Sequence, residues 1–133
     1  MIDRLDHIVL NCRDVAATAA WYERAFGLQR EVFGPDERIA LKFGGQKINL
    51  RPVGAENWIT GTAEVAGAGD LCFIATGGLA AVRAPLDAAG VEVILGPVTR
   101  TGAAGPMTSL YMRDPDGSLV EVASYDPADR VAD

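Results

Sequence analysis

Cysteine and histidine are scarce in this sequence. Among its 133 residues there are two cysteines, Cys12 and Cys72, and one histidine, His7. The cysteines lie in or beside apolar runs and have no CxxC spacing. This arrangement favours buried, reduced thiols over a disulfide or a catalytic pair. Free thiols of this kind are expected in a cytoplasmic protein.

Long apolar runs are also absent. No stretch approaches the roughly 20 apolar residues that a membrane-spanning helix needs. The first ten residues, MIDRLDHIVL, carry acidic side chains and lead directly into a strand pattern, which is not the pattern of a secretory signal. We therefore expect no membrane partner and a cytoplasmic location.

Positive charge is in deficit. The chain has 12 lysines and arginines against 18 aspartates and glutamates, a net charge of −6. Such a chain is a poor partner for a polyanion, so nucleic acid binding is not expected. Nucleotide fingerprints such as GxGxxG and the phosphate loop are missing. The 49% hydrophobic content is that of a soluble globular protein, and we expect one domain over residues 1–133.

Apolar periodicity predicts eight strands and two helices. The first half is expected to form strands over 5–11, 28–33, 37–43 and 46–51 and a helix over 15–26. Asp14 is suited to begin that helix as its N-cap, and Gly27 to end it. Residues 52–69 have glycine, proline and no clear period, which indicates a linker.

The same order returns in the second half. The expected elements are a strand over 70–76, a helix over 79–90 and strands over 91–97, 107–113 and 118–124. Pro85 conflicts with an uninterrupted helix because proline lacks a backbone donor, so the helix is expected to begin near Pro85 or to kink there. The segment TGAAGP, residues 101–106, is interpreted as a mobile lid.

The two halves form an internal repeat. His7 and Asp70 are 63 residues apart, and so are the helix-ending glycines Gly27 and Gly90. This spacing indicates two repeats, over 3–52 and 68–125, each with the order strand, helix, strand, strand, strand. One such unit buries its sheet poorly alone, so two copies should share a core or curl around a common cleft.

Several segments resemble a known superfamily. LDHIVLNCRDVAATAAWYERAFGL and RDPDGSLVEV resemble the vicinal oxygen chelate superfamily, which includes glyoxalase I, bleomycin resistance proteins and extradiol dioxygenases. GGQKINLR and AGDLCFI look closer to its small glyoxalase-domain proteins. The resemblance covers about residues 3–125. It implies an α+β fold of two βαβββ modules whose mixed sheets form an open cup, and a homodimer that covers the sheet edges.

The resemblance also implies a metal site. Carried over by position, the ligands of a divalent ion of iron, nickel, zinc or manganese are His7, Asp70 and Glu121, with Asn49 contributing through its side-chain oxygen or binding substrate. Glu121 would act as the catalytic base. Each residue also has a structural reading, as a hydrogen-bonded strand histidine, a loop-end aspartate or an outward polar residue of an alternating strand.

Three further residues are candidates for substrate binding: Arg51, Arg100 and Tyr111. Arg51 stands where similar proteins have a histidine, and arginine cannot ligate a metal. It could pair with Glu121, hold an anionic substrate, or lie in solvent. Arg100 is either a substrate contact or a surface charge, and Tyr111 either lines the cup or packs in the core.

Two functions follow from these residues. The first is a metal-dependent lyase, isomerase or dioxygenase-like enzyme that acts on a small oxygenated metabolite. The second is a metal-free binding protein of the bleomycin resistance type, which would sequester a small molecule. A fold of this kind does not decide between them.

Overall fold

The computed structural model describes residues 1–132 and confirms the α+β fold of two βαβββ modules. The first module contains β1 (His7–Cys12), α1 (Val15–Phe26), β2 (Gln29–Phe33), β3 (Arg38–Phe43) and β4 (Gln46–Pro52). The second contains β5 (Asp70–Ile74), α2 (Leu79–Ala88), β6 (Leu95–Gly102), β7 (Gly105–Arg113) and β8 (Leu119–Ser124). A short 3-10 turn, Pro127–Asp129, follows β8.

Local signals set the limits of α1 as the sequence predicts. The Asp14 side chain accepts a hydrogen bond from the Ala17 backbone N–H at the first turn. Gly27 ends the helix in the left-handed region at φ 68°, where its N–H donates to the Glu23 carbonyl. Glycine adopts this conformation without a Cβ penalty.

The two sheets have the same topology. The first has strand order β1-β4-β3-β2 and the second β5-β8-β7-β6. In each sheet the first and last strands of the module pair in parallel, and the remaining pairs are antiparallel. His7 aligns with Lys47 and Asn11 with Arg51, whereas Asp70 aligns with Leu119 and Cys72 with Glu121. These registers decide which side chains share a face.

Both sheets turn their apolar faces towards one core shared with the two helices. Tyr22 and Leu86, one from each helix, are fully buried there. Phe43 of the first module meets Phe73 of the second with ring centroids 5.2 Å apart. Because strand side chains alternate, the opposite face of each sheet points away from this core. We call these two surfaces the open faces.

A buried polar joint connects α1 to the turn between β7 and β8. The Tyr22 hydroxyl donates to Asp114 Oδ2 at 2.8 Å, and the Thr18 hydroxyl donates to Asp116 Oδ2 at 3.1 Å. The backbone N–H of Arg13 also donates to Asp116, at 3.0 Å. Asp114 and Asp116 are only 6% and 9% exposed, so these bonds supply the partners that buried carboxylates require.

Three expectations for the second module need correction. Residues 91–94 are not a strand. The strand β6 begins at Leu95, the first of its residues that pairs with β7. TGAAGP, expected to be a mobile lid, is the closed end of that hairpin, with Gly102 paired to Gly105. Helix α2 begins at Leu79 and runs through Pro85. Pro85 and Ala81, the residue that loses its hydrogen bond, are both exposed, where this loss costs least.

The segment between β4 and β5 has neither helix nor strand, as predicted. Within residues 1–132, no helix has the length and apolarity to cross a membrane.

Candidate functional site

The predicted site residues lie on the open faces of both sheets. The first sheet contributes His7, Asn49 and Arg51, which alternate with core residues along β1 and β4. The second contributes Asp70 and a hydrogen-bonded group on β6, β7 and β8. The site is therefore divided between the two modules.

His7 lies at the start of β1 and lines a cavity of about 290 Å³ with Asp70, Cys72 and Lys47. Its side chain is 44% exposed, and its Nδ1 lies 2.8 Å from Asp6 Oδ2. The hydrogen bond to His7 is the main cause that lowers the pKa of Asp6. Because Nδ1 faces this carboxylate, Nε2 is the ring nitrogen left for another partner.

Glu121 is the buried carboxylate of the second open face. It is 9% exposed, and its Oε1 accepts a hydrogen bond from the Tyr111 hydroxyl at 3.0 Å. The same hydroxyl accepts from Arg100 Nε at 3.1 Å. Burial, and next the bond to Glu121, raise the pKa of Tyr111, so this hydroxyl keeps its proton. The structure thus brings together three of the predicted residues in one chain of hydrogen bonds.

Cys72 lies next to Glu121 in the sheet register. Partial burial of the sulfur against its neighbours, and next the charge of Glu121, raise the pKa of the Cys72 thiol to about 12. The thiol therefore stays protonated at neutral pH and is a weak nucleophile. The expectation that both cysteines are buried is correct for Cys12 and wrong for Cys72, which is an exposed residue on β5.

Asn49 carries an unpartnered oxygen. The residue is 7% exposed, and within residues 1–132 its Oδ1 has no hydrogen-bond partner. A buried amide oxygen without a partner costs about 1–3 kcal/mol. Such a cost is unusual in a folded protein and points to a group that a bound species would satisfy.

Arg51 has a role that the sequence did not reveal. It is 2% exposed and donates to Asn11 Oδ1, to the Ala55 and Trp58 carbonyls and to Glu64 Oε2. The alternatives of pairing with Glu121 and of lying in solvent are both wrong. The guanidinium instead holds residues 55–64 against the end of the first open face. Apart from Asn11 on β1, its partners come from a segment without periodicity, so no sequence pattern indicated them.

Lys47 is a cavity residue that the motifs did not single out. It aligns with His7 in the parallel register, and its Nζ lies 3.7 Å from the centroid of the Phe33 ring. The sequence did place Lys47 on the same strand face as Asn49 and Arg51, and this alternation could have identified it as a residue of the site.

The three predicted metal ligands are not assembled within one chain. Among residues 1–132, no three histidine, cysteine, aspartate or glutamate side chains are grouped closely enough to hold an ion. His7 and Asp70 share a cavity, but Glu121 is not one of its lining residues.

A family model described as the Glyoxalase/Bleomycin resistance protein/Dioxygenase superfamily matches residues 4–122. The chain belongs to this superfamily. It is 41% identical to the virulence protein STM3117 of Salmonella typhimurium over 94% of this chain and 86% of that protein. It is 43% identical to the glyoxalase domain-containing protein RDO1 of Mycosarcoma maydis, over 93% of this chain and 69% of RDO1.

Solved structures of the superfamily have the same fold. The integron cassette protein VCH_CASS1 of V. cholerae superposes with a TM-score of 0.91 at 44% identity, covering 95% of this chain and 98% of that one. Lactoylglutathione lyase from Agrobacterium tumefaciens superposes with a TM-score of 0.71 at 24% identity, covering 94% and 96%. The second likeness is evidence of fold alone.

Proposed function

We propose that this superfamily member is a metal-dependent, glyoxalase-like enzyme of the lyase, isomerase or dioxygenase type, acting on a small oxygenated metabolite. The observation that supports it is the chain of hydrogen bonds from Arg100 through Tyr111 to Glu121. In this arrangement the carboxylate of Glu121 is buried, its Oε1 is held by the Tyr111 hydroxyl, and its Oε2 is not bonded to Tyr111.

Glu121 is the proposed general base. Tyr111 fixes Oε1, so Oε2 is the oxygen that would accept the proton from the substrate, and it would do so only while Glu121 is not bound to the ion. Because the Tyr111 hydroxyl stays protonated, its hydrogen bond would hold the Glu121 carboxylate in one position throughout the reaction. Arg100, which is exposed and adjoins this group, would bind an anionic part of the substrate.

The available donors suit a divalent ion. His7 offers an imidazole nitrogen, Asp70 and Glu121 offer carboxylates, and Asn49 offers the unpartnered oxygen described above. When bound, the ion would supply electrophilic stabilisation of an oxyanion on the substrate. FosX of Listeria monocytogenes, a 21% identical protein of the same fold, has been solved in complex with Mn(II).

A homodimer is part of the proposal. The donors lie on two open faces that point away from the shared core, and among residues 1–132 the histidine and carboxylate donors are not grouped closely enough to hold an ion. A second copy that placed its own open face against the first would complete the set. Exposed apolar residues on these faces, Val9 and Ile74, favour such burial.

Metal content of the dimer tests the proposal. Protein purified without added ions is expected to contain, or to take up, one equivalent of iron, nickel, zinc or manganese per site. Glu121→Gln should lower the affinity for the ion about tenfold or more, because it removes a charge and keeps the shape. Glu92→Gln, an exposed control that also removes one charge, should leave it unchanged. Equal uptake by both variants would contradict the site.

A metal-free binding protein is the second candidate. Two observations favour it: among residues 1–132 no three histidine, cysteine, aspartate or glutamate side chains are grouped closely enough to hold an ion, while the cavity beside His7 is already formed. If no ion binds to the dimer while small molecules still do, this candidate replaces the first.

A further inference from the structure

A second cavity lies mainly on the core side of the sheets and shares Phe43 and Phe73 with the cavity beside His7. It has a volume of about 530 Å³ and opens between the end of α1, the beginning of α2 and the turn between β3 and β4. We call it the rear cleft. Its apolar lining includes Phe26, Leu28, Phe43, Phe73, Val82 and Val122. Ligand pockets are usually about 300–1,000 Å³, so this volume suits a small molecule.

The walls of the rear cleft are aromatic and come from both modules. The Phe26 and Phe73 ring centroids are 5.6 Å apart, and those of Phe43 and Phe73 are 5.2 Å apart at an interplanar angle of 78°. Three phenylalanine rings at varied angles offer faces and edges to an apolar or ring-containing guest. None of these residues has a role in the proposed reaction.

Charge at the rim of the cleft is unbalanced. Two charged side chains are among its lining residues, Glu23 and Arg24. Glu23 accepts from Arg30 Nε at 2.9 Å and is neutralised by it. Arg24 is exposed and makes no ion pair within residues 1–132. The carbonyl end of α1 carries about half a negative charge, so a net positive charge remains at the rim.

We propose that the rear cleft binds a small apolar molecule that carries one anionic group. Its apolar part packs against the three phenylalanine rings, and its anion lies at Arg24. The rear cleft shares Phe43 and Phe73 with the cavity beside His7, but none of its lining residues is a proposed metal ligand or substrate contact, so the two proposals can fail separately.

A matched pair of dyes tests both halves of the proposal. Anilinonaphthalene sulfonate is apolar and anionic, and phenylnaphthylamine is the same ring system without the sulfonate. Both are expected to bind with enhanced fluorescence, one per chain. Ala81→Phe should fill the cleft and weaken both about tenfold or more. Ala84→Phe, the same change at an exposed position of α2 that does not line the cleft, should weaken neither.

The charge is tested separately. Arg24→Gln should weaken binding of the sulfonate about threefold, the size expected for an exposed ion pair, and leave the neutral dye unchanged. Arg83→Gln, which removes an arginine outside the cleft, should change neither.

The site would be wrong if Ala81→Phe, folded as judged by a wild-type circular dichroism spectrum, bound both dyes as tightly as the parent protein. An equal effect of Arg24→Gln on both dyes, or none on either, would overturn the anionic ligand. Loss of dye binding as the protein associates would mean that a second copy occupies the cleft, which also contradicts the proposal.

Discussion

Arg51 controls the path of the chain after β4. Its guanidinium satisfies two backbone carbonyls and pairs with Glu64, whose other oxygen accepts from the Gly54 N–H at 2.6 Å. The side chains of Arg51 and Glu64 thus close residues 54–64 of the irregular chain into a loop. The same contacts occupy the end of the first open face, so the identity of one residue shapes the site through the loop that it holds.

Replacement of Arg51 should release this loop. In Arg51→Met the aliphatic stem remains, but Asn11, Glu64 and two carbonyls lose a donor. We expect a loss of about 3 kcal/mol in the free energy of unfolding, since several buried partners are left unpaired. Amide exchange of residues 54–64 should accelerate more than that of β1 and β4. Arg38→Met is the control, because Arg38 on β3 donates to the Asn57 carbonyl and lies over the Trp58 ring of the same loop. An equal loss of stability and an equal gain in exchange rate from both variants would argue against a specific role for Arg51.

Asp114 gives a pH-dependent prediction. Burial raises its pKa above the ordinary 3.8 although Tyr22 donates to it. A carboxyl with a raised folded-state pKa binds more protons when folded, so this contribution to stability falls as pH rises through the interval between 3.8 and the folded value.

The Asp114→Asn variant isolates this contribution. The variant has no carboxyl at this position, so the difference in unfolding free energy, wild type minus variant, should decrease as pH rises through that interval and then stay constant. Urea unfolding from acidic to neutral pH measures it. A difference that increases with pH would show that the bonds to Asp114 outweigh its burial.

Helix α2 shows how an element can depend on a distant cap. Its N-cap is Gly78, which has no side chain to accept a hydrogen bond from the first turn. The N–H of Leu79 donates instead to Asp129 Oδ2 at 3.2 Å. Asp129 belongs to the 3-10 turn after β8, so the end of the chain stabilises the start of a helix some 50 residues earlier.

Asp129→Ala should therefore destabilise α2. We expect a loss of about 1 kcal/mol, the usual value of an N-cap, and faster amide exchange at the first turn of α2. Asp87→Ala, an exposed change within α2, should not accelerate exchange at that turn. If Asp129→Ala left the first turn as protected as in wild type, the cap would have no energetic role.

Elements with local signals were predictable, and elements set by pairing were not. Asp14 and Gly27 mark α1 through contacts within four residues, which a sequence contains. The position of β6 depends on its register with β7, including an irregularity between Leu95 and Val98, and no local pattern encodes it. The alternating residues VEVIL, 91–95, predict a strand from Val91, but pairing with β7 places its start at Leu95.

The candidate site divides in the same way. Glu121, Tyr111 and Arg100 were identified individually, but their hydrogen-bonded order depends on three adjacent strands. Three of the four partners of Arg51, namely Ala55, Trp58 and Glu64, lie in a segment without helix or strand, where no periodicity could predict them.

At the scale of the whole molecule, we predict a homodimer. Light scattering should give a mass near twice the 14.0 kDa of the chain at micromolar concentration. Val9→Lys, an exposed apolar residue of the first open face, should shift the protein towards monomer, because a charge would be buried at the interface. Val32→Lys, on the other face of its sheet, is the control. A mass of 14.0 kDa at all these concentrations would contradict the dimer.

The polar joint between α1 and the β7–β8 turn has a consequence during translation. Thr18 and Tyr22 find their partners 98 and 92 residues further along the chain. A nascent chain that has exposed only the first module from the ribosome holds both hydroxyls, and the apolar face around them, without their native contacts. The first module therefore cannot complete its native contacts until almost the entire chain has been synthesised, and its apolar surface is open to non-native association until then.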